Sequence, residues 1–205
     1  MVSLLWLIFS VARAAPPPSI AAKLACPESI GALTLPEGIS AARLKSKHLI
    51  VVLKGARRIF RTDGGKLVHT EGGSACWPIG LGFSPVGHKQ VEGDGKTPEG
   101  LYATSDKPWS QYYAAIAVHY PSTKDAVAAT ENSSISPAIG RRIRRAIESK
   151  KKPPQTTPLG GEILIHGGGS ATDWTLGCVA MENDHIDQLR ATLPTDMVTE
   201  VLILP

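Results

Sequence analysis

Apolar positions along the chain gather into short runs separated by stretches rich in glycine and proline. His48-Leu49-Ile50-Val51-Val52-Leu53 is nearly continuous and β-branched, the pattern of a buried strand. Ile59-Phe60 and Leu67-Val68 flank Asp63-Gly64-Gly65, a hairpin turn signal. Ala114 to Tyr120 alternates well enough for another strand, closed by Pro121, and Ile163 to Ile165 and Val198 to Leu204 supply two more. One segment has the helical period instead. Ser136 is placed to cap it and Pro137 to open its first turn, after which Ile139, Ile143 and Ile147 recur one turn apart. Its other face carries Arg141, Arg142, Arg144 and Arg145, Lys150 to Lys152 complement its negative end, and Pro153-Pro154 stop it. A second short helix begins near Asn183 or Asp184 and turns Ile186 and Leu189 inward, with His185 exposed in its first turn.

The N-terminal stretch breaks from this pattern. Val2 to Val11 is a short apolar run ending in Ala12-Arg13-Ala14, the small-x-small form of a signal peptidase site. Arg13 interrupts the run far short of the ~20 apolar residues needed to span a bilayer. Residues 1–14 are therefore expected to be a cleaved leader, 15–47 a linker and lead-in starting with Pro16 to Pro18, and 48–205 one domain. Composition agrees with a strand-and-turn body: Gly 20 and Pro 16 are high and aromatics are only 5%. At 42% hydrophobic and 20% charged, the chain can bury a real core, which argues against wholesale disorder. A formal charge of +4, one less if Arg13 leaves, is too small to demand nucleic acid as a partner. With 3 cysteines in an oxidising compartment, one must stay free. Pairing of Cys26 with Cys76, which leaves Cys178 free, is one arrangement, and three reduced thiols are the other.

The densest chemistry lies between Ile163 and Met181. An apolar strand delivers His166 to its end, followed by Gly167-Gly168-Gly169, and twelve residues on from His166 the turn Thr175-Leu176-Gly177-Cys178 presents a thiol beside backbone that glycine leaves uncovered. A thiolate attacks carbonyl carbon far better than a thiol, and an imidazole can take its proton or hold an ion pair that lowers its pKa. Cys178 is thus the candidate nucleophile and His166 the base, with the backbone N–H groups of Gly177 and Cys178 as oxyanion donors. Zinc could accept His166, Cys178 and His185, yet no C-x-x-C or H-E-x-x-H pairing occurs, so no metal is expected. Gly93 to Gly100 is not a phosphate loop, since Gln90 stands where a Walker A motif needs glycine. Asp94-Gly95 and Pro98 to Gly100 read as a rigid turn.

The segment around His166 and Cys178 resembles the active-site motif of the L,D-transpeptidase (YkuD-type) family, in which His-Gly is followed by Ser/Thr-His-Gly-Cys. The block from Gly80 to Tyr102, with Gly93-Asp94-Gly95-Lys96-Thr97-Pro98-Glu99-Gly100, independently resembles a second segment of that family. The resemblance covers roughly His48 to Pro205. It implies a mainly β domain with helical insertions, a compact two-sheet or barrel-like body. It implies also that Cys178 attacks the bond between the third residue of a peptidoglycan stem and the following D-alanine, forming a thioester that an amine or water resolves, with no cofactor required. Gly167, Trp174, Thr175, Lys96 and Tyr120 are then expected to contact substrate, with Tyr102 and Tyr120 read as core or cleft walls rather than catalytic acids.

Two positions depart from the family pattern: Leu176 replaces the histidine before Gly-Cys, and Ala180 the arginine often found two residues after the cysteine. The Trp174-Thr175-x-Gly177-Cys178-x-Ala180 wording is similar to the YafK-like branch, where release of a peptidoglycan-linked envelope lipoprotein is an alternative to transpeptidation. Expected partners are peptidoglycan stem peptides, an envelope lipoprotein under that alternative, and a carbapenem as an adduct at Cys178. The expected location is the periplasm or cell envelope. A catalytically inactive peptidoglycan-binding module is the rival from another class.

Overall fold

The structure, a computed structural model, describes residues 26–45, 48–107 and 110–205. The expected leader and the first part of the lead-in lie outside the described residues. The first half of the domain contributes β1 (Leu49–Leu53), β2 (Arg58–Asp63), β3 (Lys66–Leu67), β4 (His69–Thr70), β5 (Gly73–Ser74), β6 (Cys76–Pro78) and β7 (Gly100–Asp106). The second adds β8 (Ala115–Val118), α1 (Thr123–Glu131), α2 (Pro137–Glu148), β9 (Leu164–His166), β10 (Val179–Ala180), α3 (Asn183–Ala191) and β11 (Glu200–Leu204). The architecture is mainly β with three helices among the described residues. One mixed sheet runs in the order β10-β9-β8-β7-β11-β1-β2-β3, with β6 also pairing β2, and β4 and β5 form a separate ribbon.

The continuous apolar run of β1 has a direct cause. Side chains alternate across a strand, and here both faces are covered. Ile50 and Val52, with Val201 and Ile203 of the parallel neighbour β11, enter the main core. Leu49 and Val51, with Leu202 and Leu204, enter a second core on the opposite face. That second core is closed by Cys26, Ile30 and Leu44 from the expected lead-in, and a Cys26–Cys76 disulfide ties the segment to β6. Residues 26–45 therefore dock on the sheet rather than hang from it. The β2–β3 turn uses Gly64 and Gly65 at φ 57° and 83°, as a two-residue hairpin requires.

Ser136 caps α2 by accepting the Ile139 amide, Ile143 is buried, and Ile139 and Ile147 pack on the main core. The sequence pattern missed α1, whose Ser122 and Asp125 form a reciprocal capping box. The consequential feature for function is the far face of β8. Ile116 and Val118 point into the main core, whereas the opposite face carries only Ala115 and Ala117 beside Leu164. Small side chains there leave a shallow floor rather than a filled layer.

Candidate active site

β9 and β10 run parallel, with Val179 paired to Ile165 and Ala180 to His166. Cys178 continues β10 by one residue and lies beside Leu164, whose amide donates to the Cys178 Sγ at 3.3 Å. Alternation then puts Cys178 and His166 on the same face of the ladder, offset diagonally by two residues. Both open onto a groove of about 830 Å³. The imidazole is almost wholly buried, and its Nδ1 contacts the Gly167 carbonyl at 2.5 Å. A carbonyl can only accept, so Nδ1 carries the hydrogen and Nε2 is left with a lone pair, the form a general base requires.

The two motif blocks meet at this ladder. Gly80 exchanges backbone hydrogen bonds with Ala180 at 2.9 and 2.8 Å, and Thr175 donates to Leu81 and accepts from Phe83 at 3.1 and 3.0 Å. A Cβ on Gly82 would stand 2.0 Å from the Gly95 carbonyl oxygen, so only glycine permits the approach. Gly177, at φ 129°, lets the chain pass against the Lys96 carbonyl, where a Cβ would lie 2.6 Å away. Asp94 organises the second block by accepting the amides of Gln90, Val91 and Lys96 and the ammonium of Lys89. Burial opposes its charge, but these donors outweigh that and hold its pKa below the ordinary carboxylate value. Buried Lys54 spends its donors on Gly87, Thr97 and Glu99 and fixes the same block to the end of β1. The Gly93–Gly100 turn is a scaffold.

Aromatic rings surround His166. Tyr112 stacks on it at 4.5 Å between centroids, and Trp174 meets it edge-on at 5.7 Å. Burial lowers the His166 pKa from its usual value, partly opposed by the Gly167 hydrogen bond. The thiol is disposed otherwise than the sequence suggested. Cys178 Sγ donates to the Glu162 carbonyl at 3.6 Å, and burial pushes its pKa up, with the Leu164 amide acting in the other direction and the Glu162 charge reinforcing the rise. Of the two roles open to the imidazole, taking the proton or holding an ion pair, this arrangement favours the first. Burial disfavours the charged form of both groups, and the hydrogen-bond partners of the sulfur are main-chain atoms.

Of the other expected residues, Trp174 and Thr175 line the groove. Thr175 acts through the backbone, since its hydroxyl donates to the Cys178 carbonyl at 2.8 Å and accepts the Gly177 amide at 3.1 Å. That bond corrects the expected oxyanion role of Gly177, whose N–H is already engaged. Gly167 supplies the carbonyl that orients His166. Lys96 and Tyr120 are also corrected as substrate contacts. The Lys96 ammonium stands near Gly87, and Lys96 is not among the residues that line the groove. Tyr120 is fully buried, packs edge-on to Tyr102 and His88, and donates to the Lys89 carbonyl. His185 is half-buried, not exposed. Tyr112, Glu162 and Lys107 line the groove and were missed by the sequence pattern. Each comes from a loop whose position depends on long-range packing, so no local spacing marks them. No group of three or more His, Cys, Asp or Glu is placed to hold a metal among the described residues.

Comparison with known proteins places this arrangement. Among solved structures, the helical cell shape determining protein Pgp2 from Campylobacter jejuni aligns with TM-score 0.50 and 23% identity, covering 77% of this chain and 46% of that one. Bd1075 from Bdellovibrio bacteriovorus aligns with TM-score 0.44 and 24% identity, covering 81% and 50%. L,D-transpeptidase 3 from Mycobacterium tuberculosis, in complex with a faropenem-derived adduct, aligns with TM-score 0.38 and 12% identity, covering 77% and 60%. The chain thus spans about half the length of the Pgp2 and Bd1075 chains. No curated protein matches. The family model of the L,D-transpeptidase catalytic domain, YkuD, matches residues 47–203, most of the chain and both motif blocks. On that match, the chain belongs to the YkuD family of L,D-transpeptidase catalytic domains.

Proposed function

We propose that this chain is an exported, cysteine-dependent L,D-transpeptidase that acts on peptidoglycan stem peptides. The observation carrying this is the placement of Cys178 and His166 on one face of the β9–β10 ladder, in one groove, with the imidazole in the tautomer that accepts at Nε2. On substrate binding the thiol turns from the Glu162 carbonyl toward His166 and gives up its proton as sulfur attacks the carbonyl carbon before the D-alanine. The Cys178 amide is the candidate donor to the resulting oxyanion. Collapse breaks the C–N bond, and the imidazolium returns its proton to the departing amine. An amine or water then attacks the thioester with His166 again as base, which regenerates the thiol. Membership of the family and the description of Pgp2 as a cell shape determinant support a cell wall substrate and an envelope location. Disulfide formation between Cys26 and Cys76 supports an oxidising compartment.

The test is incubation with tetrapeptide muropeptides followed by mass spectrometry. Release of D-alanine, with dimers for an amine acceptor or tripeptides for water, is expected, and Cys178→Ala abolishes it. Absence of release, of dimers and of any Cys178 adduct would overturn the proposal. A second reading, a peptidoglycan-binding module without turnover, is favoured by Leu176, which is 75% exposed where the family pattern has a histidine. Retention on purified sacculi by wild type and Cys178→Ala alike, with stem peptides unchanged, would select it.

A further inference from the structure

Glu162 is anchored at both ends of its structure. Its main chain adopts φ 52°, its amide donates to Gln155 Oε1 at 2.8 Å, and its carbonyl accepts the Cys178 thiol. Its carboxylate bridges two ammonium groups, accepting from Lys107 Nζ at 2.6 Å and from Lys152 Nζ at 3.2 Å. One negative charge thus serves two positive ones, and the cluster keeps a net positive charge. Lys107 lines the same groove as Cys178 and His166, and its charge acts on the sulfur. The Glu162 carboxylate is 53% exposed and the two lysine side chains 30% and 29%. An ion pair so open to water exchanges partners at little cost. A second carboxylate arriving along the groove would meet an ammonium already aimed at one, in the groove that the nucleophile also lines.

We infer that Lys107, backed by Lys152, forms a carboxylate-binding position beside Cys178, and that Glu162 is its internal occupant until a substrate carboxylate takes its place on Lys107. This rests on the stem-peptide proposal above and adds to it the side chain that holds the leaving residue's carboxylate. The amino acid released from the thioester-forming bond carries a free terminal carboxylate. Trimming or cross-linking of tetrapeptides meets that condition, whereas cleavage of a bond to an internal residue of an attached protein does not.

The probe is a stem tetrapeptide ending in D-alanine, compared with the same peptide ending in a carboxamide. Binding is measured by calorimetry to the full chain carrying Cys178→Ala, which separates recognition from turnover. The acid should bind about tenfold or more tightly than the amide, as a charge-assisted contact requires. Lys107→Met should bring the ratio close to unity, Lys107→Arg should keep it, and Glu162→Gln should tighten the acid severalfold by removing the competitor. Equal binding of acid and amide, or a preference that survives Lys107→Met, overturns the inference. Turnover by the protein with Cys178 intact distinguishes the two levels. Acid preference without D-alanine release sinks the proposed reaction and keeps the carboxylate position. Equal release from both peptides does the reverse.

Discussion

Thr175 is buried and makes no demand on solvent, yet its hydroxyl holds two main-chain groups of the nucleophile turn. Replacing it with valine keeps the volume and leaves the Cys178 carbonyl and the Gly177 amide unpaired. That should cost about 1–3 kcal/mol of stability and, by loosening the sulfur, about 10–100-fold in activity. Thr175→Ser should recover most of both. Urea titration and D-alanine release measure the two losses, and unchanged turnover in Thr175→Val would show that the turn holds without this hydroxyl. The residue scale is also where sequence and structure part most instructively. Cys178 and His166 were legible because their motif is compact: a strand end, glycines, and one short turn. The state of the thiol was not legible, because it depends on Glu162 and Leu164, which approach the sulfur only after β9 and β10 pair. Lys96 misled because it sits in a motif block, while the part of it that reaches the site is its carbonyl.

The strands and α2 were readable from period and capping because their local chemistry agrees with their packing. α1 was not, since Ala126, Ala128 and Ala129 give only a faint apolar stripe, although Ser122 and Asp125 at capping-box spacing would have marked its start. The lead-in is a different case. Its Ala- and Pro-rich composition shows no period, so its role emerges only from three apolar anchors reaching the outer face of β1 and β11. The disulfide closes a loop of 50 residues there. Removing it as Cys26→Ala/Cys76→Ala should lower stability by about 2–4 kcal/mol. The site lies toward the β10 edge of the sheet, while Cys76 lies on β6 beside β2, near the other edge. Denaturant midpoints should therefore fall while D-alanine release at low temperature persists. Loss of activity in parallel with folded signal from the outset would instead tie the lead-in to the groove.

At the scale of the whole molecule, the curled sheet must bury titratable groups to build its groove, and acid reports on that burial. His166 and His119 both have lowered pKa values, the first through burial and the second through burial and then Lys152. An unfolded histidine takes its proton near pH ~6.5, while the folded protein holds these rings neutral to lower pH. Below that point the unfolded chain binds more protons, so stability falls as pH drops through about 6.5 toward the folded values. Asp94 and Glu162 have depressed values through their amide and lysine partners. Their stabilisation is fully present above the unfolded carboxylate pKa of ~4 and is lost only as pH falls below it. Two separate declines are therefore expected in the urea midpoint, one opening near pH 6.5 and one near 4, and His119→Gln should reduce the first, leaving the share of His166, without touching the second. Because His166 stays neutral in the same interval, the acid limb of kcat/KM should sit below that of a free imidazole, so that activity outlasts the first loss of stability on acidification. A midpoint flat from pH 7.5 to 5.5, or an acid limb at or above the free-imidazole value, would mean that the ring is hydrated and that the aromatic enclosure by Tyr112 and Trp174 does not govern its protonation.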